Sequence, residues 1–595
     1  MVTNDRIIAL RELMHRENID ACIVTSSDSH GSEYPSTYWH LREYLSGFNG
    51  SAGTLVVTRN HAGLWTDSRY YIQAEAQLRG SCIELHKEGL PGVPDPIEYL
   101  TYLLPSGAVV GVDGLTVSAA DFRRWDSTLS MFGIKLRGDI GLVETYMTGI
   151  GEMSALSVWQ HDVKFTGMSR KEKLALVRKK MEAQHVTRYI IASLDDVAWL
   201  TNLRGNEVEY NPVFYAYMII DTDEATLYIN PNKLTEADGA ALMADGIKIS
   251  LYESFLRDIK LTPTDAKVFY DPKRLNSLCA AGIPKRCVRI EGDSMILMLK
   301  GCKSQHEIEQ IKNAHVRDGV ALVKFARWIK ENVKKERITE LDASEKLTNL
   351  RKEGENYISD SFENIIAWGP NAAIVHYRPT IESNTVIEPR GLLLVDSGAQ
   401  YYDGTTDVTR TFAMGEVTDI ESLHYTLVLK AHIALATAIF PEGTKGIQLD
   451  SLARSCMWRY GVDYGHGTGH GVGFCLNVHE GPQSISKKGI DVAMEAGMLT
   501  SDEPGVYVEG SHGIRTESLV VCREAKQTGF GRFFAFETVT MMPIDKEPIK
   551  VNLLTDAEIK WVDEYHAKVY SALSGFLEGA DLEWLKEACA PLCRE

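Results

Sequence analysis

The chain has 595 residues, 44% of them apolar and 24% charged, with a formal net charge of −18 at pH 7. That length is too great for one hydrophobic core and predicts about three or four domains. A nucleic-acid binder relies on a basic surface, so the acidic balance argues against that role. The 10 cysteines are scattered with no C-x-x-C pair, the usage of reduced thiols in a reducing compartment. No apolar run reaches the ~18 residues of a membrane span. The start, Met1 to Arg6, shows no charged, apolar and cleavage regions in series. The expectation is a cytoplasmic protein with neither nucleic acid nor membrane as partner.

In chain order, Ile7, Ile8, Leu10, Leu13 and Met14 recur at helical spacing and predict an opening helix. Strands are expected at Ala21–Thr25, Gly53–Val57 and from Ala62, and a hinge at Ile150-Gly151. From about residue 165 the order replays: a helix from Lys171 to Gln184, a strand at Tyr189–Ser193, then Ala198–Gly205, which parallels Leu41–Gly50. Strands at Tyr217–Ile220 and Ala225–Ile229 follow. Two α/β units of like order suggest a duplication. The third part opens with Ser304-Gln305-His306-Glu307, a capping box in which Ser and Glu satisfy each other's free backbone N–H groups. Its helix carries Ile308, Ile311, Val316, Val320, Val323 and Phe325. The same signature recurs at Thr418-Asp419-Ile420-Glu421 and Thr555-Asp556-Ala557-Glu558. The last forms a helical extension whose Trp584 and Leu585 lie on an apolar stripe, read as core with a dimer contact as the alternative. Domain boundaries are expected at 1–155, 156–300 and 301–595.

Asp396 ends the apolar run Leu392 to Val395, and an acid there is costly to bury without a cation or hydrogen bonds. Asp403-Gly404 suits a two-residue hairpin turn, which would pair Asp396 with Thr411 and leave Asp407 roughly 13 Å away. A longer loop or bulge, with the reversal near Tyr401, is therefore expected to set Asp396 opposite Asp407. His466 and His470 lie among Gly465, Gly467, Gly469 and Gly471, which makes a helix improbable and an extended segment the better reading. Pro504 keeps Glu503 extended, and Gly510 lies midway to Glu517, so a hairpin turning there sets those two carboxylates side by side. Any one of these acids is as well explained by a solvated or salt-bridged side chain. Four acids and an imidazole together form a set of hard ligands for divalent cations.

The ordered motifs Asp-Ser-Gly from Asp396, Thr-Thr-Asp-Val-Thr-Arg-Thr from Thr405, Gly-His-Gly-Thr-Gly-His-Gly-Val-Gly from Gly465, Asn-Val-His-Glu-Gly-Pro from Asn477, Glu-Pro-Gly from Glu503 and Gly-Ile-Arg-x-Glu from Gly513 resemble the Xaa-Pro aminopeptidase family, in its long three-domain cytosolic form. Weaker likeness extends to Asp67-Ser68-Arg69-Tyr70 and Gly47–Gly53. The resemblance implies the fold class α/β (α+β): two creatinase-like α/β domains followed by a pita-bread catalytic domain. It implies metal ligands at Asp396, Asp407, His470, Glu503 and Glu517, holding two divalent ions, manganese first with zinc or cobalt as substitutes. It implies catalytic roles for Glu503, His376 and His479, and substrate contacts from Arg69, His376, His466, His479 and Arg515. The activity implied is hydrolysis of the bond between an N-terminal residue and a following proline, by a hydroxide bridging the two ions. The partners are then small peptides with proline second, and a homodimer through the catalytic domain is left open. Phe474-Cys475 and Val506 depart from the family's usual residues without removing a ligand. A prolidase-like dipeptidase of the same fold is the nearest alternative. Methionine aminopeptidase, usually little more than a catalytic domain, and a non-enzymatic pita-bread binding module stand further off.

Overall fold

The computed structural model describes residues 2–150, 153–381 and 383–593. Gly151, half of the expected hinge, lies outside the described residues. The chain forms two compact units, one of Met1–His161 with Met168–Leu297, the other of Asp162–Gly167 with Met298–Glu595.

The first unit contains two six-stranded sheets. Strands β1 (Ala21–Val24), β2 (Thr54–Thr58), β3 (Ala62–Thr66), β4 (Glu84–Lys87), β5 (Val109–Val112) and β6 (Lys135–Arg137) make the first, in the order β4-β3-β2-β1-β5-β6. Strands β7 (Arg188–Ile191), β8 (Ala216–Asp221), β9 (Ala225–Ile229), β10 (Ile247–Ser250), β11 (Lys267–Tyr270) and β12 (Val288–Glu291) make the second, in the order β10-β9-β8-β7-β11-β12. The two orders are the same, and so is the sense of every pairing: the central meander is antiparallel and the outer strands are parallel. The expected repeat is thus present strand for strand. It extends to the loops: the helices Leu41–Ser46 and Leu194–Thr201 both end in a left-handed residue, Gly47 at φ 74° and Asn202 at φ 50°. The opening helix spans Val2–Arg16 and buries Ile7, Leu10, Leu13 and Met14. Ile8, placed on that face from the sequence, is 53% exposed, because adjacent helical residues point about 100° apart.

The second unit holds the long helix Gln305–Asn332, started by the Ser304–Glu307 box. The boxes at Thr418 and Thr555 likewise start the helices Asp419–Ala436 and Asp556–Leu573. Between them run several antiparallel sheets. One joins β13 (Ile365–Trp368), β14 (Leu392–Ser397) and β15 (Val408–Ala413). β16 (Leu499–Asp502) leads through the hairpin β17 (Gly505–Val508) and β18 (His512–Arg515) into β19 (Ser518–Thr528), and β20 (Gly531–Thr538) pairs with β19. Leu393, Val395, Phe412, Val520, Val562 and Leu585 share one buried core, with Trp584 packed against it. The C-terminal stripe is therefore core.

Candidate metal centre

β14 is buried along its whole length, so Asp396 enters the interior on a strand whose other side chains exclude water. Its direct partner on β15 is Thr409, and the reversal falls at Tyr402-Asp403, flanked by the pair Tyr401 and Gly404. This corrects the sequence expectation twice. The turn is tight, with no bulge between β14 and β15, and Asp407 is not opposite Asp396 but two residues along. The Asp-Gly dipeptide misleads because Gly404 is itself a strand residue and the buried Asp403 carboxylate is engaged by Arg317. Direct opposition is also unnecessary. Diagonal neighbours on one face of an antiparallel pair lie about 7 Å apart, within reach of two carboxylates converging on one volume.

The second pair of acids follows the sequence reading. Gly505 pairs with Arg515 and Val508 with His512, while Asp502 pairs with Ser518 on the flanking strands. The same register runs through both segments and sets Glu503 directly across from Glu517. Gly510, at φ 72°, makes the turn.

Hydrogen bonds fix the rest. Ser501 Oγ accepts from the His470 backbone N–H at 2.9 Å and donates to Glu503 Oε1 at 3.1 Å. The Glu503 N–H donates to Thr468 O at 2.8 Å. Thr409 Oγ1 donates to Glu517 Oε2 at 2.7 Å. His470 Nδ1 donates to the Gly471 carbonyl at 3.0 Å, which sets the ring so that Nε2 faces Asp407 Oδ2 at 3.4 Å and Glu503 Oε1 at 3.5 Å. Atoms of Asp407, His470 and Glu517 all lie within 4.8 Å of one another. His479 packs edge-on to His470, ring centres 4.3 Å apart. His466 reaches Tyr507 Oη at 2.9 Å and stands 3.9 Å from Glu503. Arg515 donates to Asp396 Oδ2 and to Tyr507 Oη, each at 2.5 Å, and to the Val375 carbonyl at 3.4 Å beside the half-buried His376. Arg69 belongs to the first unit, where it forks the Asp67 carboxylate at 2.9 and 2.7 Å.

Burial raises the carboxyl pKa of Asp396, offset in part by Arg515 and reinforced by Asp407. Glu503 is raised by burial against the opposing charges of His470 and Arg515. Glu517 is raised strongly, by burial and then by Asp407, Glu503 and Asp396. Burial pulls His470 down, yet Asp407 and Glu503 outweigh it and hold it up at about 9. Buried acids repelling one another in this way are relieved by protons or by cations among them. Asp396 Oδ1 is buried with no hydrogen-bond partner among the described residues, an acceptor left for a ligand. Four carboxylates and one imidazole suit divalent ions, so the donor set fits the expected metal.

Several contributors escaped the sequence reading. Thr409 alternates with Asp407 and Thr411, a period-2 pattern that marks one face and was available as a signal. Tyr507 and Ser501 gave none. Glu480, next to His479, is buried between Lys300 and Lys303, each at 3.1 Å, partners too distant in sequence to foresee. Arg410 is 2% exposed and gathers Glu517 O at 2.5 Å, Met542 O at 2.8 Å and Tyr565 Oη at 2.8 Å. It ties the carbonyl of one acid to the C-terminal helix.

This fold and this donor set define a metallopeptidase. The model of metallopeptidase family M24 matches residues 309–524, that of its C-terminal region residues 532–592, and those of creatinase/prolidase N-terminal domains residues 6–136 and 152–307. A protein of Talaromyces marneffei named Probable Xaa-Pro aminopeptidase P is 40% identical over 99% of this chain and 92% of its own. The crystal structure of an X-prolyl aminopeptidase from Caenorhabditis elegans, described as a cytosolic enzyme with a di-nuclear active site, superposes with a TM-score of 0.96 at 34% identity, covering 100% of both chains. An Xaa-Pro dipeptidase from Bacillus anthracis shares the fold at a TM-score of 0.51 and 22% identity, over 63% of this chain and 99% of its own. The chain belongs to the Xaa-Pro aminopeptidase P family of M24 metallopeptidases. It is an enzyme, a metal-dependent aminopeptidase with creatinase-like N-terminal domains and a pita-bread catalytic domain.

Proposed function

We propose that the enzyme hydrolyses the bond between any N-terminal residue and a following proline in small peptides. The observation that carries the reading is the convergence of Asp396, Asp407, His470, Glu503 and Glu517 from two hairpins and a glycine-rich segment on one buried volume. These five would hold two divalent ions, manganese first, with zinc or cobalt as substitutes. When bound, the pair supplies Lewis-acid activation of water and of the scissile carbonyl. Glu503 takes up the water proton at its carboxylate and delivers it to the departing proline nitrogen. His376 and His479 donate to the carbonyl oxygen as it gains charge, each worth about 3 kcal/mol. His466, braced by Tyr507, lines the proline pocket. Arg515 orients Asp396 and the Val375 carbonyl beside His376. The acids attract the free α-amine. The chain is read as three domains, 1–155, 156–300 and 301–595. A cytoplasmic location and a homodimer through the catalytic domain belong to the same reading.

Rates on an Arg-Pro-Pro tripeptide and a Gly-Pro dipeptide, after chelation and manganese add-back, test it. Tripeptide cleavage releasing arginine, with the dipeptide untouched, is expected. Preference for the dipeptide would overturn the reading in favour of a prolidase.

A further inference from the structure

The first unit carries a second cluster of metal-binding side chains, on the edge of its first sheet. β3 and β4 run parallel, with Gly63 beside Glu84 and Trp65 beside His86. Alternation puts Glu84 and His86 on one face of β4, the outermost strand. His61 stands just before β3, where Thr58 fixes it: the Thr58 N–H donates to His61 O at 2.8 Å and the His61 N–H to Thr58 Oγ1 at 3.0 Å. It shares a face with Gly63 and Trp65.

Gly63 makes the gathering sterically feasible. A Cβ there would lie 2.8 Å from His86 Nε2 and 2.9 Å from His61 Cε1. The missing side chain is the floor on which two imidazoles meet, ring centres 5.7 Å apart. Trp65 stacks on His86 at 3.8 Å and 3°, and Tyr99 packs against both imidazoles, so the rings are held in place. His61 Nε2 faces Glu84 Oε2 at 3.0 Å. A ring nitrogen of each histidine and a carboxylate oxygen of Glu84 all lie within 4.8 Å of one another.

A second observation points to a ligand. His61 Nδ1 and His86 Nε2 are both buried with no hydrogen-bond partner among the described residues. Buried ring nitrogens are ordinarily satisfied, and leaving one unpaired costs about 1–3 kcal/mol. Two such atoms on neighbouring imidazoles beside a carboxylate are the donor set of a cation site.

We propose that His61, Glu84 and His86 form a second metal site, taking a borderline divalent transition ion such as zinc through two imidazoles and one carboxylate. Imidazole nitrogens suit zinc, whereas the carboxylate-rich centre of the second unit suits harder ions. Glu84, with its side chain 66% exposed, swings to close the site and leaves the remaining position to water. On binding, Glu84 leaves the Nε2–H of His61 for the ion held by His61 Nδ1 and His86 Nε2, and the ion clips β4 to the turn before β3, covering an otherwise open edge.

The test uses the untagged full-length chain, loaded with manganese, freed of unbound metal, titrated with zinc chloride and desalted. Zinc and manganese are then counted per chain by elemental analysis. The wild type is expected to take up about one more zinc than the double variant His61→Gln/His86→Gln, with equal manganese content and equal peptidase rate. Equal zinc uptake by the two would overturn the site. Because both histidines pack on Tyr99, Glu84→Gln gives an independent arm. Its zinc affinity is expected to fall roughly tenfold or more, with the melting temperature of the zinc-free protein unchanged. Unaltered affinity in that variant overturns the proposed ligand set.

Discussion

Asp407 stands where the demands on the centre meet, because His470 Nε2 addresses it at 3.4 Å and its charge raises the pKa of Asp396 and of Glu517. Asp407→Ala is expected to remove bound metal and activity together, read by elemental analysis and turnover on the same sample. Full metal occupancy with retained turnover would remove Asp407 from the centre. His479 is different, since its ring packs edge-on against that of His470. His479→Ala should keep the metal and lower kcat by roughly a hundredfold, the loss of one donor to a developing oxyanion. Protonation gives a third expectation. In the metal-free chain His470 is held up at about 9 and the Asp396, Glu503 and Glu517 carboxyls are raised. Each group binds its proton more tightly folded than unfolded. Its contribution is therefore complete below its unfolded pKa, about 6.5 for the histidine, and lost as pH rises through the folded value. Metal-free protein should melt at progressively lower temperature from pH 6.5 to 9, and metal add-back should flatten that profile. A metal-free melting point that climbs over that range would refute this account.

At the scale of elements, the two hairpins show what the sequence carries and what it does not. The Glu503–Glu517 hairpin was legible because Pro504 restricts the backbone before it and Gly510 permits the positive φ of the turn, neither depending on a distant residue. The Asp396–Asp407 hairpin was misread because its strongest local turn signal, Asp403-Gly404, is overridden by Arg317 on the long helix Gln305–Asn332. Tertiary partners decide such cases. Two further expectations belong here. A Cβ on Gly513 would lie 1.7 Å from the Ala372 carbonyl oxygen, so β18 seats the segment leading to His376 only because that side chain is missing. Gly513→Ala should lower kcat/KM while metal content holds, at a cost of about 1–3 kcal/mol in urea unfolding. Arg351 is fully buried, pairs with Asp318 at 2.8 Å and donates to Ser397 Oγ at 3.1 Å, just beyond Asp396. Arg351→Ala strands a buried carboxylate and should cost about 3–5 kcal/mol of stability, read by the same unfolding curves.

Across the whole molecule, the capping boxes at Ser304, Thr418 and Thr555 and the doubled α/β order were readable, since both rest on local patterns. The buried clamps were not. Glu480 between two lysines, and Arg410 reaching from β15 to Tyr565, join stretches with no sequence signature linking them. Arg410 makes one distant part of the chain answerable to another. Its guanidinium spans the backbone of Glu517 and the hydroxyl of a tyrosine on the helix Asp556–Leu573. What looks like a dispensable tail is thus the keystone behind the reactive cleft. Protein engineers who trim it to shrink the enzyme should find the cleft slack and its ions leaking away, even though every ligand survives the cut.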